Sequence, residues 1–272
     1  MNPGSSTPSL RDFRPRQFPD LIRVGSAHDG GYVLPASALR ASRALLSLGV
    51  EANWEFEEAA LALNPALSIT CVDGTTGPDV IRARALREMG RAALKLRPVK
   101  FARMVRLYAR AAEFRRFFAV HEFLPLLVAA ADGPGTASLA SLLAHVRRGD
   151  ATRWVLVKMD IEGAEYDSLA AADGHLDRVS VLAIEFHDLE RNWDRFCATM
   201  RALAARFVVA HVHGNNCLGV VPGSAIPQVL ELTLVHRQLA PGMLPATTAH
   251  YPLPGLDRPN DRRRPDLPLS FE

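Results

Sequence analysis

Residues 154–169 read WVLVKMDIEGAEYDSL, an apolar run that leads through Lys158 into three carboxylates within six positions, Asp160, Glu162 and Glu165. Like charges this close repel, so the cluster costs stability unless a cation or hydrogen-bond donors sit among them. Acids in the first turn of a helix gain roughly 0.3–1 kcal/mol from its dipole, which accounts for Glu165. Asp160 closes a buried strand and has no such explanation, so it is the first candidate for a site residue. Gly163 either lets a helix start close to the strand or, with Glu162, contacts a cofactor.

Other strand ends carry chemistry as well. In open α/β sheets ligands bind beyond the carboxyl ends of the strands, which singles out Gly49, Asp73, Asp160 and His187. Asp73 follows Gly49 by 24 residues, across a strand–helix–strand unit, where an acid can accept both hydroxyls of a ribose. The loop between, GVEANW, has one glycine and carries Glu51 where a pyrophosphate would sit. A dinucleotide or ATP is disfavoured on shape and on charge. S-adenosylmethionine has the ribose, no phosphate, and a sulfonium and an ammonium that acids attract. The residues that would contact it are Gly49, Glu51, Asp73, Asp160, Glu162 and Gly163. A cationic guest would also relieve the repulsion around Asp160.

The elements that must position these residues follow from periodicity. Apolar runs at 44–48, 67–73, 154–160, 179–187, 207–214 and 229–237 predict strands, and helical spacing predicts helices at 53–64, 162–172 and 189–207. Asn53 is the expected N-cap of the first helix. Alternating strands and helices imply a mainly parallel sheet covered on both faces, and the last strand–loop–strand, without a helix, implies an antiparallel pair at one edge. The stretch 79–145 reads as a largely helical elaboration, and HDGGYVL at 28–34 as a tight turn that lines the pocket or forms a surface hairpin. The expected organisation is a poorly ordered segment over 1–20, one domain over 21–251 and a Pro/Arg-rich irregular tail over 252–272.

With 272 residues, 48% of them apolar, the chain suits one large domain with a sizeable core. Three widely spaced cysteines, Cys71, Cys197 and Cys217, form neither a disulfide framework nor a zinc pattern. No signal-peptide pattern and no apolar run of the roughly 20 residues that span a bilayer is visible, so a cytoplasmic protein is expected.

VLVKMDIEGAEYDSL resembles the hallmark of the FkbM-type methyltransferases, a strand-and-helix motif of the form hhKhDhEGxExxhL with h apolar. RVGSAHDGGYVLP (23–35), LLSLGVEANWEFE (45–57), IEFHDL (184–189) and HVHGNN (211–216) resemble a methyltransferase-like branch of that family, so the likeness covers about residues 20–240. It implies an α/β, Rossmann-like class I methyltransferase with a seven-stranded sheet, usually acting with S-adenosylmethionine on a hydroxyl oxygen; the element pattern adds the antiparallel edge strand and the helical insertion. The first loop, SLGVEAN, departs from the glycine-richer DxGAxxG of many members.

Methyl transfer to a hydroxyl needs the acceptor in line with the sulfonium and its proton removed or its charge stabilised. His187 is the first candidate base, with Asp160 and His213 as further catalytic candidates. His211, Asn215 and Asn216 are candidates to hold a small-molecule hydroxylated acceptor of the sugar, lipid or secondary-metabolite class. Asp160 and His187 are also acceptable ligands for a divalent metal, although no dedicated spacing motif accompanies them. Between Arg82 and Arg116 stand twelve Arg and Lys residues against Glu88 and Glu113. This is a solvated helical face, or a surface for an anionic acceptor or membrane headgroups. No nucleic-acid recognition motif accompanies the charge. The alternatives to a methyltransferase are a cofactor-binding scaffold that kept the fold and lost catalysis, and a metal-dependent hydrolase built on Asp160, His187 and His213.

Overall fold

Apolar runs without polar alternation become strands buried on both faces, and the computed structural model, which describes residues 9–272, places them so. The chain opens with an antiparallel hairpin, β1 (Leu21–Gly25) and β2 (Gly31–Pro35), followed by α1 (Ala36–Ala41). Then come β3 (Ala44–Leu48), α2 (Glu55–Leu63), β4 (Ser68–Val72) and a helical hairpin of α3 (Pro78–Leu94) and α4 (Pro98–Phe117). Three short strands, β5 (Glu122–Leu124), β6 (Leu127–Ala129) and β7 (Thr136–Ser138), lead to α5 (Leu139–Arg147). The second half runs β8 (Val155–Met159), α6 (Glu165–Ala171), β9 (Val179–Phe186), α7 (Leu189–Leu203), β10 (Phe207–Val220) and β11 (Pro227–His236).

Seven strands form one sheet in the order β10-β11-β9-β8-β3-β4-β5. β3, β4, β5, β8 and β9 pair in parallel, and β11 is antiparallel to both β9 and β10. From β3 the chain winds outward through β4 and β5, then returns to β8 and winds the other way. This is the doubly wound, Rossmann-like arrangement, with its switch point between β3 and β8. The antiparallel strand lies one place in from the edge, with β10 outermost.

Alternate residues face opposite layers. Leu46, Val157 and Ile184 pack with Leu142 of α5, Leu169 of α6 and Phe196 of α7. Leu45, Leu156 and Ala183 pack with Leu34 of β2, Leu39 of α1 and Phe56 of α2. α4 docks at one point, where Phe114 meets Trp54 edge-on at 5.7 Å and the Arg110 guanidinium lies 3.9 Å from the Trp54 ring centre.

Several expectations change. Within 79–145 the helices are α3 and α4, in the β4-to-β5 crossover, and most of α5. The rest of 79–145 holds the sheet's seventh strand, β5, whose three half-buried residues are too few to show a period. Trp54 rather than Asn53 takes the N-cap position of α2, although Asn53 Oδ1 still accepts the Glu55 N–H at 3.2 Å. Of the segment expected to be disordered, residues 1–8 lie outside the described residues, and Leu10, Phe13 and Phe18 are buried in the core. The Pro/Arg-rich tail is irregular but packed: its Leu269 and Phe271, with Tyr251 just before it, are buried in the main core. Among the described residues no helix is long and apolar enough to cross a membrane.

Candidate functional site

A cavity of about 390 Å³ lies beyond the carboxyl ends of β3, β4, β8 and β9, over the switch point. Asp29, Glu51, Asp73, Asp160, Glu162 and Glu185 supply carboxylates to its lining, against Lys158 and His187. The Lys158 ammonium is buried in the floor, where it donates to the Gly49 carbonyl at 2.6 Å and places its positive charge beside Asp160.

Strand alternation builds the site. Residues i and i+2 share a face, so Lys158 and Asp160 leave β8 together, as do Glu185 and His187 from β9. The loops behind β3, β8 and β9 turn through left-handed residues that are not glycine: Glu51 (φ 48°), Glu162 (φ 55°) and Asp188 (φ 52°). Such backbone costs on the order of 1–3 kcal/mol per residue and clusters at ligand sites. Gly49 is required by the protein itself: its φ is 77°, and a Cβ there would lie 1.7 Å from the Asp160 carbonyl oxygen.

His187 is fixed from behind. Its Nδ1 lies 2.9 Å from Glu165 Oε1, and that fully buried carboxylate also accepts the N–H groups of Ile161 and Gly163. The Nε2 faces Asp160 Oδ1 at 3.8 Å, Glu162 Oε2 at 3.6 Å and Glu185 Oε1 at 3.8 Å. Burial alone would lower the His187 pKa, but the Glu165 hydrogen bond and the charges of Glu165, Asp160 and Glu162 outweigh it and raise it. Burial raises Asp160, although Lys158 and His187 pull the other way. Burial pushes Glu185 well above the carboxylate range, and the charges of Asp160 and Glu231 add to the shift.

Asp73 departs from its expected role. Oδ2 accepts the N–H groups of Val50 (3.0 Å) and Glu51 (2.8 Å), and Oδ1 accepts the N–H and hydroxyl of Thr75 (2.7 and 2.6 Å). A carboxylate has about four acceptor positions, and protein donors fill them. Asp73 closes the first loop, which leaves it nothing for a ribose diol. Glu51 stands at the rim, paired with Arg84 at 2.7 Å.

His213, His211, Asn216 and Gly163 are not brought to the cavity wall. His213 is held between Glu231 Oε2 (3.0 Å) and Asp266 Oδ1 (2.9 Å), and His211 pairs with Asp257. Asn216 bonds the backbone of Asp261, Arg264 and Pro265. These three bind the C-terminal segment to the sheet. β10 alternation sends His211 and His213 to one face, as expected, but the tail covers that face. Asn215 does line the cavity, and its side-chain amide donates to Glu185 Oε1 at 2.8 Å. The hydrolase set of Asp160, His187 and His213 is therefore not assembled.

The sequence reading passed over Glu185, Lys158 and Asp29 as site residues. The signal for the first two was a charged residue inside an otherwise apolar strand, which a buried sheet does not carry without cause. Asp29 belongs to the β1–β2 turn: HDGGYVL does form a hairpin, and its tip also lines the cavity.

No family model matches the chain, and no curated protein matches it. Among solved structures, fibrillarin from Methanococcus jannaschii matches at 9% identity and a TM-score of 0.35, covering 73% of this chain and 68% of that one. A precorrin-6y C5,15-methyltransferase from Geobacter metallireducens matches at 12% identity and 0.35, covering 74% and 86%. A predicted O-methyltransferase from Agrobacterium tumefaciens matches at 14% and 0.33, covering 75% and 81%. Likeness this low establishes neither a family nor a reaction; the fold rests on the strand order and register.

Proposed function

We propose that the chain is an S-adenosylmethionine-dependent methyltransferase acting on a hydroxyl oxygen. The observation that carries the reading is the charge of the cavity: six carboxylates line it at the switch point, against one lysine and one histidine. A pyrophosphate would meet acids there, whereas a sulfonium and an ammonium are attracted. The volume lies within the usual range of small-molecule sites, roughly 300–1,000 Å³. The resemblance of residues 154–169 to the FkbM motif points the same way. The charge fits the cofactor; Asp73 does not fit as its ribose acceptor, and Glu51 at the rim is the carboxylate placed to take that role.

S-adenosylmethionine would supply a sulfonium methyl for an acceptor oxygen to displace, with the C–S electron pair left on sulfur and the oxygen's proton passed to a base or to solvent. Asp160 holds positive charge over the switch point. His187 Nε2, oriented by Glu165, marks where the acceptor oxygen lies, either as the base that takes its proton or as part of a site that stabilises its charge. Asn215 positions Glu185 against the same spot.

The test is calorimetry with S-adenosylmethionine, S-adenosylhomocysteine, ATP and NAD, followed by an acceptor screen read as released S-adenosylhomocysteine. Binding of the first two alone, then turnover with a hydroxylated acceptor, is expected. Binding without turnover on any acceptor favours the scaffold reading, and preference for ATP or NAD ends the proposal.

The reading extends to where the acceptor is met. At the tip of the α3–α4 hairpin Leu94, Leu96 and Val99 are 84–88% exposed, set among Arg91, Lys95, Arg97, Lys100 and Arg103. Aliphatic side chains ringed by cations suit an anionic lipid surface; nucleic acid offers the aliphatic groups nothing. The hairpin base adjoins the cavity rim through Arg84–Glu51.

A further inference from the structure

Asp160 Oδ1, Glu185 Oε1 and His187 Nε2 lie within 4.8 Å of one another. All three are acceptor groups, and Glu162 Oε2 adds a fourth. Among the described residues no N–H or O–H donates to the Asp160 carboxylate, and the only donor to Glu185, more than nine-tenths buried, is Asn215 on Oε1, which leaves Oε2 without a hydrogen-bond partner. A proton on Nε2 reaches none of the three carboxylates, because 3.6–3.8 Å exceeds N–H···O bonding distance of about 2.7–3.2 Å. A metal ion about 2.0–2.2 Å from each donor spans such separations.

A second, independent feature points the same way. Glu165, buried behind the ring, takes Nδ1 and turns Nε2 toward the carboxylates. A carboxylate holding the far nitrogen of a histidine is the usual support of a metal ligand, since it fixes the tautomer and the ring plane. Glu165 Oε1 also accepts the Ile161 and Gly163 N–H groups, so the same carboxylate ties the ring to the turn after β8, while its Oε2 has no partner.

We propose that Asp160, Glu185 and His187 form a binding site for one divalent first-row cation, with Glu162 as a fourth ligand at the open side. One imidazole among carboxylates suits Mn²⁺, Fe²⁺ or Zn²⁺ better than Mg²⁺ or Ca²⁺, which prefer all-oxygen sites. Resting on the methyltransferase reading, the ion has a use: it coordinates the acceptor hydroxyl, so the oxygen sheds its proton to solvent at the mouth and attacks as an alkoxide. His187 is then a ligand rather than the base.

The probe is Mn²⁺ alone, added to the full chain after chelator treatment and followed by electron paramagnetic resonance. One ion per chain is expected, with pulsed spectra showing coupling to a single imidazole nitrogen. His187→Gln and Glu185→Gln are expected to weaken binding by at least tenfold, and Glu165→Gln by about 10–100-fold although it removes no ligand. The nitrogen coupling is read on the unmodified protein, so a misfolded variant does not blunt the test. No saturable binding of Mn²⁺ or Zn²⁺, binding without nitrogen coupling, or one-for-one displacement of Mn²⁺ by S-adenosylmethionine would overturn the proposal; the last would make the cluster the cofactor's own ammonium subsite. Metal binding without cofactor binding sinks the methyltransferase reading alone, and cofactor binding without metal sinks this one alone.

Discussion

Asp73 Oδ2 lies 2.8 Å from the backbone nitrogen of Glu51, and this bond, with that from Val50, ties the end of β4 to the loop after β3. The carboxylate shapes the cavity floor from below. Asp73→Asn keeps the volume but turns an amide toward N–H groups that need an acceptor. Leaving buried donors unpaired costs about 1–3 kcal/mol, so thermal unfolding should shift down by several degrees. Cofactor affinity should fall with the loop's order, while Glu51→Gln should weaken binding without lowering the melting temperature. An Asp73→Asn variant as stable as the parent would show that these bonds do not hold the loop.

Gly49 makes the counterpart contact on the other side of the switch point. Gly49→Ala places a methyl group 1.7 Å from the Asp160 carbonyl oxygen and forces φ 77° on an L residue. The left-handed backbone alone costs about 1–2 kcal/mol, and the clash adds to it. Soluble yield and melting temperature should both drop sharply. A variant with parental stability would mean that β3 and β8 separate easily at their ends, against the picture of a rigid cavity floor.

How much of this was legible beforehand depends on what each residue's signal was. The central strands were visible because burial on both faces leaves unbroken apolar runs such as VLVKM. β5 was not, because three residues give no period. Asp160 and His187, which line the cavity, could be singled out because a charge at a strand end has few structural uses. Glu185 was missed because it sits inside a strand, where the reading weighted its apolar neighbours. His211, His213 and Asn216 looked equally functional from β10 alone; what decided against them was a tail 45 to 53 residues away whose Asp257 and Asp266 no periodicity could place.

That tail gives a pH dependence. His213 is raised to about 10: burial opposes its charge, but Glu231 and the Asp266 hydrogen bond outweigh the burial. A group whose folded pKa exceeds its unfolded value of about 6.5 contributes stability that is complete below that value and lost as pH rises toward the folded one. Denaturant midpoints should therefore decline from about pH 6.5 to 10, and His213→Gln should be less stable at pH 6 and flatter across that window. Asp257, held below its usual range by His211 and the Leu253 N–H despite its burial, works in the opposite direction and loses its contribution as pH falls. A parental midpoint flat from pH 6.5 to 10 would show that His213 does not latch the tail.

The hairpin tip makes the last prediction. Among the described residues only Glu88, Glu113, Asp79 and Glu51 pair with the hairpin's many cations, and of these only Glu88, through Arg91 and Lys100, does so near the tip. Each basic residue near an anionic bilayer contributes about 1 kcal/mol, and buried aliphatic groups add to it. The chain should sediment with vesicles of mixed phosphatidylserine and phosphatidylcholine at low salt and not with phosphatidylcholine alone. Leu94→Ser, Leu96→Ser and Val99→Ser together should lower the affinity for anionic vesicles by tenfold or more, because they remove insertion and leave the charge. Charge-reversing Arg97→Glu and Lys100→Glu should abolish binding. Equal binding by the triple serine variant would reduce the surface to an electrostatic one, open to soluble anions. Binding to RNA that outcompetes the vesicles would replace the lipid partner altogether. Leu94, Leu96 and Val99 are exposed, so the triple serine variant should keep the parental melting temperature and its loss of sedimentation reads directly on the surface; Lys100→Glu also breaks the pair with Glu88 and is read beside its own melting curve.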